Sequence, residues 1–202
     1  MRFSIIIPAH NAENHIRKAL DSIKSQTFKD YELIVVCDNC VDQTEAIAKE
    51  YGAITARVGY GRDGLTRNHG LGMAHGDWVL FMDDDDWWLH EYVLEQLDDK
   101  LNNNPNIDVL CFSFIFKGWK YASPLSNRGG HWIAVWSKCW RRSFIEGCKF
   151  SSEWSVSDVT FHRQAMAKNP RILDWDMPMY YYNYLRPGSI SEMDKHTIPK
   201  EK

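Results

Sequence analysis

No apolar run in this 202-residue chain is long enough to cross a membrane, which takes about 20 consecutive residues. Cysteine is scarce: five residues, at positions 37, 40, 111, 139 and 148. An odd set without regular spacing excludes a secreted disulfide scaffold. Met1-Arg2-Phe3 leads straight into an apolar segment, so no leader peptide is expected. The expectation is a cytoplasmic protein, or one peripheral at the inner membrane face. Charge of one sign is also lacking. The formal net charge of −3 argues neither for nor against a nucleic-acid partner, and none is expected. Repeats, linkers and low-complexity tracts are absent, so one domain is expected over 1–202, with a first half at 1–104, a second at 105–191 and a polar tail at 192–202.

What is present is a globular composition, 44% hydrophobic and 25% charged, with the charge unevenly placed. Residues 1–100 carry 10 Lys and Arg against 18 Asp and Glu, whereas 101–202 carry 14 against 9. An acidic half suited to a cation therefore faces a basic half suited to phosphates, although chance asymmetry gives the same counts. Apolar runs at 3–7, 32–37, 53–58 and 78–82 read as buried strands. Between them, 12–24, 42–51, 65–74 and 89–102 read as helices; the apolar spacing of Ile16, Ala19, Leu20 and Ile23 marks the first. Later strands are expected at 109–116, 132–140 and 180–184, and a helix at 158–167. Continuous apolar strands alternating with helices predict an α/β fold with a mainly parallel sheet flanked by helices. Ligands of such sheets bind beyond the carboxyl ends of the strands. Residues 8–11, 38–42 and 83–86 all fall at those ends.

The last of these is Asp83-Asp84-Asp85-Asp86, directly after Trp78-Val79-Leu80-Phe81-Met82. Adjacent carboxylates raise one another's pKa unless a cation shares them. Oxygen-only ligands of this kind suit Mn²⁺ or Mg²⁺; the bland alternative is an acidic loop at a helix start. Two other patterns carry less. Cys37-x-x-Cys40 has no second pair to complete a metal site, so reduced structural thiols are expected. Gly59, Gly61 and Gly64 match GxGxxG, but after the third strand rather than the first, so a flexible turn before a helix explains them better than a dinucleotide site.

Several segments together resemble the family-two inverting glycosyltransferases of the GT-A (Rossmann-like) fold. Ser4-Ile5-Ile6-Ile7-Pro8-Ala9-His10-Asn11 resembles that family's first strand and nucleotide loop, and residues 20–36 follow its next stretch. Leu65-Thr66-Arg67-Asn68-His69-Gly70-Leu71 is similar to its ARN-x-GL signature, and Asp83-Asp84-Asp85-Asp86-Trp87 to its D-x-D-D-W signature. The likeness is looser over 130–191, where Val135-Trp136, Ser157-Asp158 and Arg186-Pro187-Gly188-Ser189 carry it. Cys37 stands where the family commonly has an acidic residue, and Ser157 where it has Glu.

The resemblance implies transfer of a sugar from a nucleotide-sugar donor, probed first as a UDP-sugar, to a saccharide, lipid-linked or other hydroxyl acceptor. It assigns Asp85 to the metal, Mn²⁺ or Mg²⁺, and Asp83 and Asp84 to the donor. Pro8, Ala9, His10 and Asn11 would edge the base, and Asp38 would accept the uracil imide N–H. Arg67 would approach the nucleotide or its phosphates, and Arg186 would close over the diphosphate. Asp158 matches the base position, with Glu153 as second candidate and a helix-capping role as the structural alternative. Trp136 would line the acceptor side. Asp86 is expected to hold the loop. A metal-dependent nucleotidyltransferase or phosphoesterase, and a non-catalytic nucleotide-sugar-binding module, remain open at this point.

Overall fold

The computed structural model describes residues 1–116, 120–125, 130–153 and 157–184. In chain order the strands are β1 Phe3–Ala9, β2 Tyr31–Asp38, β3 Ile54–Val58, β4 Trp78–Phe81, β5 Trp87–Trp88, β6 Val109–Phe116, β7 Lys120–Ala122, β8 Lys138–Arg141 and β9 Ile172–Tyr182. The helices are α1 Ile16–Lys24, α2 Thr44–Glu50, α3 Asp63–Met73, α4 Val93–Asn102 and α5 Ser157–Ala167. One sheet collects the strands in the order β3-β2-β1-β4-β8-β6-β9-β5, with β7 beside β6. Its first four strands are parallel, as their uninterrupted apolar runs predict. β8 then runs antiparallel to both β4 and β6.

Alternation along β1 divides the core. Ile5 and Ile7 join one cluster with the buried faces of α1 and α4, while Ile6 joins another with Phe161 and Ala165 of α5. Burying such a side chain contributes about 1.5–3 kcal/mol, so these two layers hold the sheet between its helices. Phe161 stacks on Phe150 at 4.3 Å and meets Trp140 edge-on at 5.3 Å. Phe161→Ala is therefore expected to cost about 3–5 kcal/mol, read as a lower urea midpoint at unchanged slope. A loss below about 1 kcal/mol would mean that this layer bears little of the fold.

Several boundaries differ from the expected ones for identifiable reasons. β1 runs through Pro8 to Ala9 rather than stopping at the proline, because β4 pairs only with Phe3 to Ile6 and leaves Pro8 a neighbour on one side alone. α1 begins at Ile16 instead of 12. The Ala12 amide donates to Thr44 Oγ1 and the Glu13 amide to Asp42 Oδ2, so this stretch is docked against the segment after β2 and residues 13–15 form a turn ahead of the helix. The expected strand 132–140 is a tight turn, Val135–Ser137, before β8. The ammonium of Lys138, only 1% exposed, curls it by donating to the Trp132 and Ala134 carbonyls. β9 is longer than the apolar pattern suggests. It is interrupted by Asp174, Asp176 and Pro178, and a register shift at Ser113 absorbs the proline. Among the described residues no helix is long and apolar enough to cross a membrane.

Candidate functional site

Parallel neighbours deliver their carboxyl ends to one edge, and here that edge is polar. β1 ends at Ala9 before His10 and Asn11, β2 ends at Asp38, and β4 ends just before the acidic tip 83–86. Asn11 and Asn39 take positive φ, 47° and 52°, to turn the chain away from the sheet. The loops are tied together: His10 Nδ1 meets the Asp38 carbonyl at 2.6 Å, and the Val41 amide donates to Asn11 Oδ1 at 2.9 Å. Asp84 reaches back to this edge, accepting the His10 amide at 3.3 Å and pairing with His15 Nε2 at 3.1 Å.

Asp38 has a different occupation from the one its resemblance assigns. Its Oδ1 accepts the amides of Tyr60 and Gly61 at 2.8 and 3.0 Å and the Asn39 side chain at 3.1 Å. Its Oδ2 accepts the Arg62 amide at 3.0 Å and Thr66 Oγ1 at 2.9 Å. A carboxylate offers about four lone-pair sites, and five protein donors already share these two oxygens. The GxGxxG match is thereby explained. The loop wraps its amides around Asp38, with Gly61 at φ 58°. Gly64 lets α3 approach Phe150, Ser151 and Ser157, since a Cβ there would lie 2.2 Å from the Ser151 carbonyl oxygen.

Arg67 is the centre of the site. It is a buried residue, 6% exposed, and not the surface arginine its sequence context allows. Its guanidinium reaches Asp63 Oδ2 at 2.5 Å, Asp83 Oδ1 at 2.7 Å and Asp158 Oδ1 at 3.5 Å. One cation thus joins α3, the acidic tip and the start of α5. Burial works against its charge, but the three carboxylates outweigh it and raise its pKa. Burial likewise pushes the Asp83 carboxyl up to about 7, against the pull of Arg67 and with the charges of Asp158 and Asp85 adding to the rise. Burial raises Asp158 too, again against Arg67. Burial also works on Asp63, but Arg67 and Ser157 outweigh it and hold that carboxyl low.

Asp158 does not cap its own helix. Its Oδ2 accepts the Val135 amide from the turn before β8 at 3.3 Å. Its Oδ1 has no hydrogen-bond partner among the described residues, only the longer ion pair to Arg67. Oδ1 is itself buried against Arg67, but the side chain as a whole is 26% exposed, so the carboxylate can take a proton from an incoming group at its open edge. Glu153 is exposed in the preceding loop.

Asp86 holds the tip, as expected. It is fully buried, accepts Tyr180 O–H at 2.6 Å and the Asn183 amide at 2.7 Å, and burial raises its pKa well above the usual range. The Tyr180 hydroxyl also accepts the Asp83 amide at 3.1 Å. Trp136 lies behind this pair rather than on an open acceptor wall. It is 6% exposed, stacked on Tyr180 at 4.8 Å and crossed by Phe114 at 4.8 Å, so its faces are covered. Arg186 lies outside the described residues.

Asp85 is half-buried at the tip, close enough for its charge to raise both Asp83 and Asp86. Oxygen-only donors with surplus negative charge around a single arginine fit Mn²⁺ or Mg²⁺, which keep waters and phosphate oxygens as further ligands. A second group, Cys111, His131 and Asp174, brings its donor atoms within 4.8 Å of one another. There the buried Lys138 ammonium interacts with both Cys111 and Asp174 and opposes a cation. Sequence reasoning missed Asp63 and Tyr180. Asp63 was legible as the i, i+4 partner of Arg67, whereas nothing in the sequence sets Tyr180 apart from its strand's other aromatics.

Comparison with known proteins places this arrangement. The profile of the family described as Glycosyl transferase family 2 matches residues 4–170. The chain is 27% identical over 221 residues to "Glycosyltransferase GlyA" of Streptococcus pneumoniae, covering 95% of this chain and 32% of that protein. It is 37% identical over 184 residues to the "GalNAc(5)-diNAcBac-PP-undecaprenol beta-1,3-glucosyltransferase" of Campylobacter jejuni, covering 79% and 58%. The S. aureus TarS 1–349 structure in complex with UDP superposes with a TM-score of 0.78 at 25% identity, covering 91% of this chain and 60% of that one. The chain thus spans less than two thirds of each of these relatives, and its sheet is that of the GT-A glycosyltransferases. A profile match over most of the chain, on a fold whose acidic tip and late-helix aspartate meet at one arginine, shows that the chain belongs to glycosyltransferase family 2.

Proposed function

We propose that the chain moves a sugar from a nucleoside-diphosphate donor, a UDP-sugar first among them, to an acceptor hydroxyl with inversion at the anomeric carbon. The observation that carries this is Arg67 holding Asp83 of the acidic tip and Asp158 of α5 in one cluster. The donor lies along the strand ends, its base edged by Pro8, Ala9, His10 and Asn11. Asp38 serves this surface by fixing the 59–62 loop, and Asp84 by tying the tip to His10 and His15. Asp83 faces the sugar end, steadied by Arg67. A divalent cation held by Asp85 would supply Lewis-acid stabilisation of the departing diphosphate oxygen. Asp158 accepts the acceptor's hydroxyl proton as that oxygen bonds to the anomeric carbon and the carbon–diphosphate bond breaks on the opposite face. Trp136 is left out of the acceptor site, since it supports Tyr180 instead. The Campylobacter relative's name includes an undecaprenol-linked saccharide, which makes a lipid-linked saccharide the first acceptor class to try.

A thermal-shift titration with UDP and UDP-sugars tests the donor half. Ligand at a hundred times Kd contributes about 2.7 kcal/mol, and a clear rise in Tm is expected with Mn²⁺ or Mg²⁺ present. Asp85→Asn should remove the ion-dependent part. Equal shifts with and without the ion would take the metal out of the proposal. Release of UDP on adding acceptor supports sugar transfer, whereas release of UMP or pyrophosphate indicates phosphoryl transfer.

A further inference from the structure

The Cys37-x-x-Cys40 pair is not absorbed by this mechanism, yet it sits inside the donor edge. Cys37 is the penultimate residue of β2, and Cys40 follows the Asn39 turn; they are 1% and 9% exposed. All five thiols are free, and the side chains of these two are close enough to interact directly. Cys40 in turn donates to the Ala9 carbonyl at 3.3 Å and receives the Asn11 amide. The pair therefore forms a chain from the end of β2 to the loop after β1. Between the two sulfurs lie only Asp38, which anchors the 59–62 loop, and Asn39.

We propose that Cys37 and Cys40 form a reversible dithiol–disulfide site that controls the loop after β1. Contact with Cys37 and the Asn11 amide draw the Cys40 thiol down, although burial opposes them. Cys37, by contrast, is pushed up by the same contact and by burial. Cys40 is also the more exposed of the two, 9% against 1%, so it is the attacking sulfur. In exchange with a small-molecule disulfide such as oxidised glutathione, the Cys40 thiolate attacks one sulfur and expels the first small thiolate. The Cys37 thiol then loses its proton and attacks Cys40, expelling the second. Two protein thiols become one disulfide, and one small disulfide becomes two thiols. The new bond consumes the Cys40 S–H, so the contact to the Ala9 carbonyl is lost. It also removes the thiolate that the Asn11 amide faces. The exposed turn at Val41 flanks Cys40.

The test is oxidation of the full chain with oxidised glutathione, followed by thiol titration and peptide mapping. Titratable thiols should fall from five to three, with the 37–40 peptide lighter by two hydrogens and restored by dithiothreitol. Hydrogen exchange at the 9–11 amides should rise, and neither change should occur in Cys37→Ser or Cys40→Ser, whatever their own stability. Resting on the proposed donor site, UDP affinity in Mn²⁺ should also weaken about tenfold, the consequence of unmaking a buried hydrogen bond. Five persistent thiols, a disulfide mapped elsewhere, or unchanged exchange at 9–11 would overturn the switch. Absence of UDP binding in the reduced protein would instead overturn the donor reading, while the thiol and exchange measurements still decide the switch.

Discussion

Asp158→Asn is expected to lower kcat by about 10²–10⁴-fold, the usual contribution of a positioned general base, while UDP-sugar affinity stays within about threefold of wild type. The split follows from where the side chain sits. The amide is isosteric and can still accept the Val135 amide hydrogen bond, and Arg67 keeps Asp63 and Asp83. Donor-side geometry therefore survives; what disappears is a site able to take a proton. The pH dependence gives a second reading. Burial holds the Asp158 carboxyl above its usual range even against the pull of Arg67. Activity should rise with pH as the base loses its proton, and this acid limb of kcat/KM should turn above the ~3.9 of a free aspartate. A variant keeping more than about a tenth of wild-type turnover would move the base role elsewhere, and Glu153 would be examined next.

The parallel half of the sheet was legible because it is made of short-range information. Runs such as Ile5-Ile6-Ile7 and Leu33-Ile34-Val35-Val36 name their own strands, and polar residues at their ends name the crevice. What the sequence hid depends on side chains meeting across long separations. The turn 135–137 is shaped by a buried lysine and β9 by its pairing with β6, and neither leaves a periodic trace. In the candidate site, residue types were readable and their partners were not. Asp38 has the same letter whether it reads a base or anchors a glycine loop; only the amides of Tyr60, Gly61 and Arg62 decide. Trp136 shows the same limit, since a tryptophan that stacks on a sugar and one that backs a tyrosine are alike until the neighbours are known.

Arg67→Met is expected to lower stability by about 3–5 kcal/mol, the usual result of removing one partner from a buried ion pair. Here the loss leaves Asp63, Asp83 and Asp158 facing one another without their shared cation. Chemical denaturation measures it directly. Arg67→Lys should fall between, because a single ammonium cannot reach three carboxylates in the planar fork that a guanidinium offers. The charge argument also fixes a sign. Arg67 lowers the pKa of Asp158, so whatever activity Arg67→Met retains should show its acid limb shifted to higher pH. At alkaline pH, where Asp83 carries its charge despite burial, adding Asp83→Asn to Arg67→Met removes one of the uncompensated charges and should recover part of the lost stability, a coupling that two independent sites would not show. If the two changes simply add, Arg67 and Asp83 are neighbours without being partners. The link between the acidic tip and the base would then have to run through Asp63 and Ser157, whose hydroxyl donates to Asp63 at 3.0 Å.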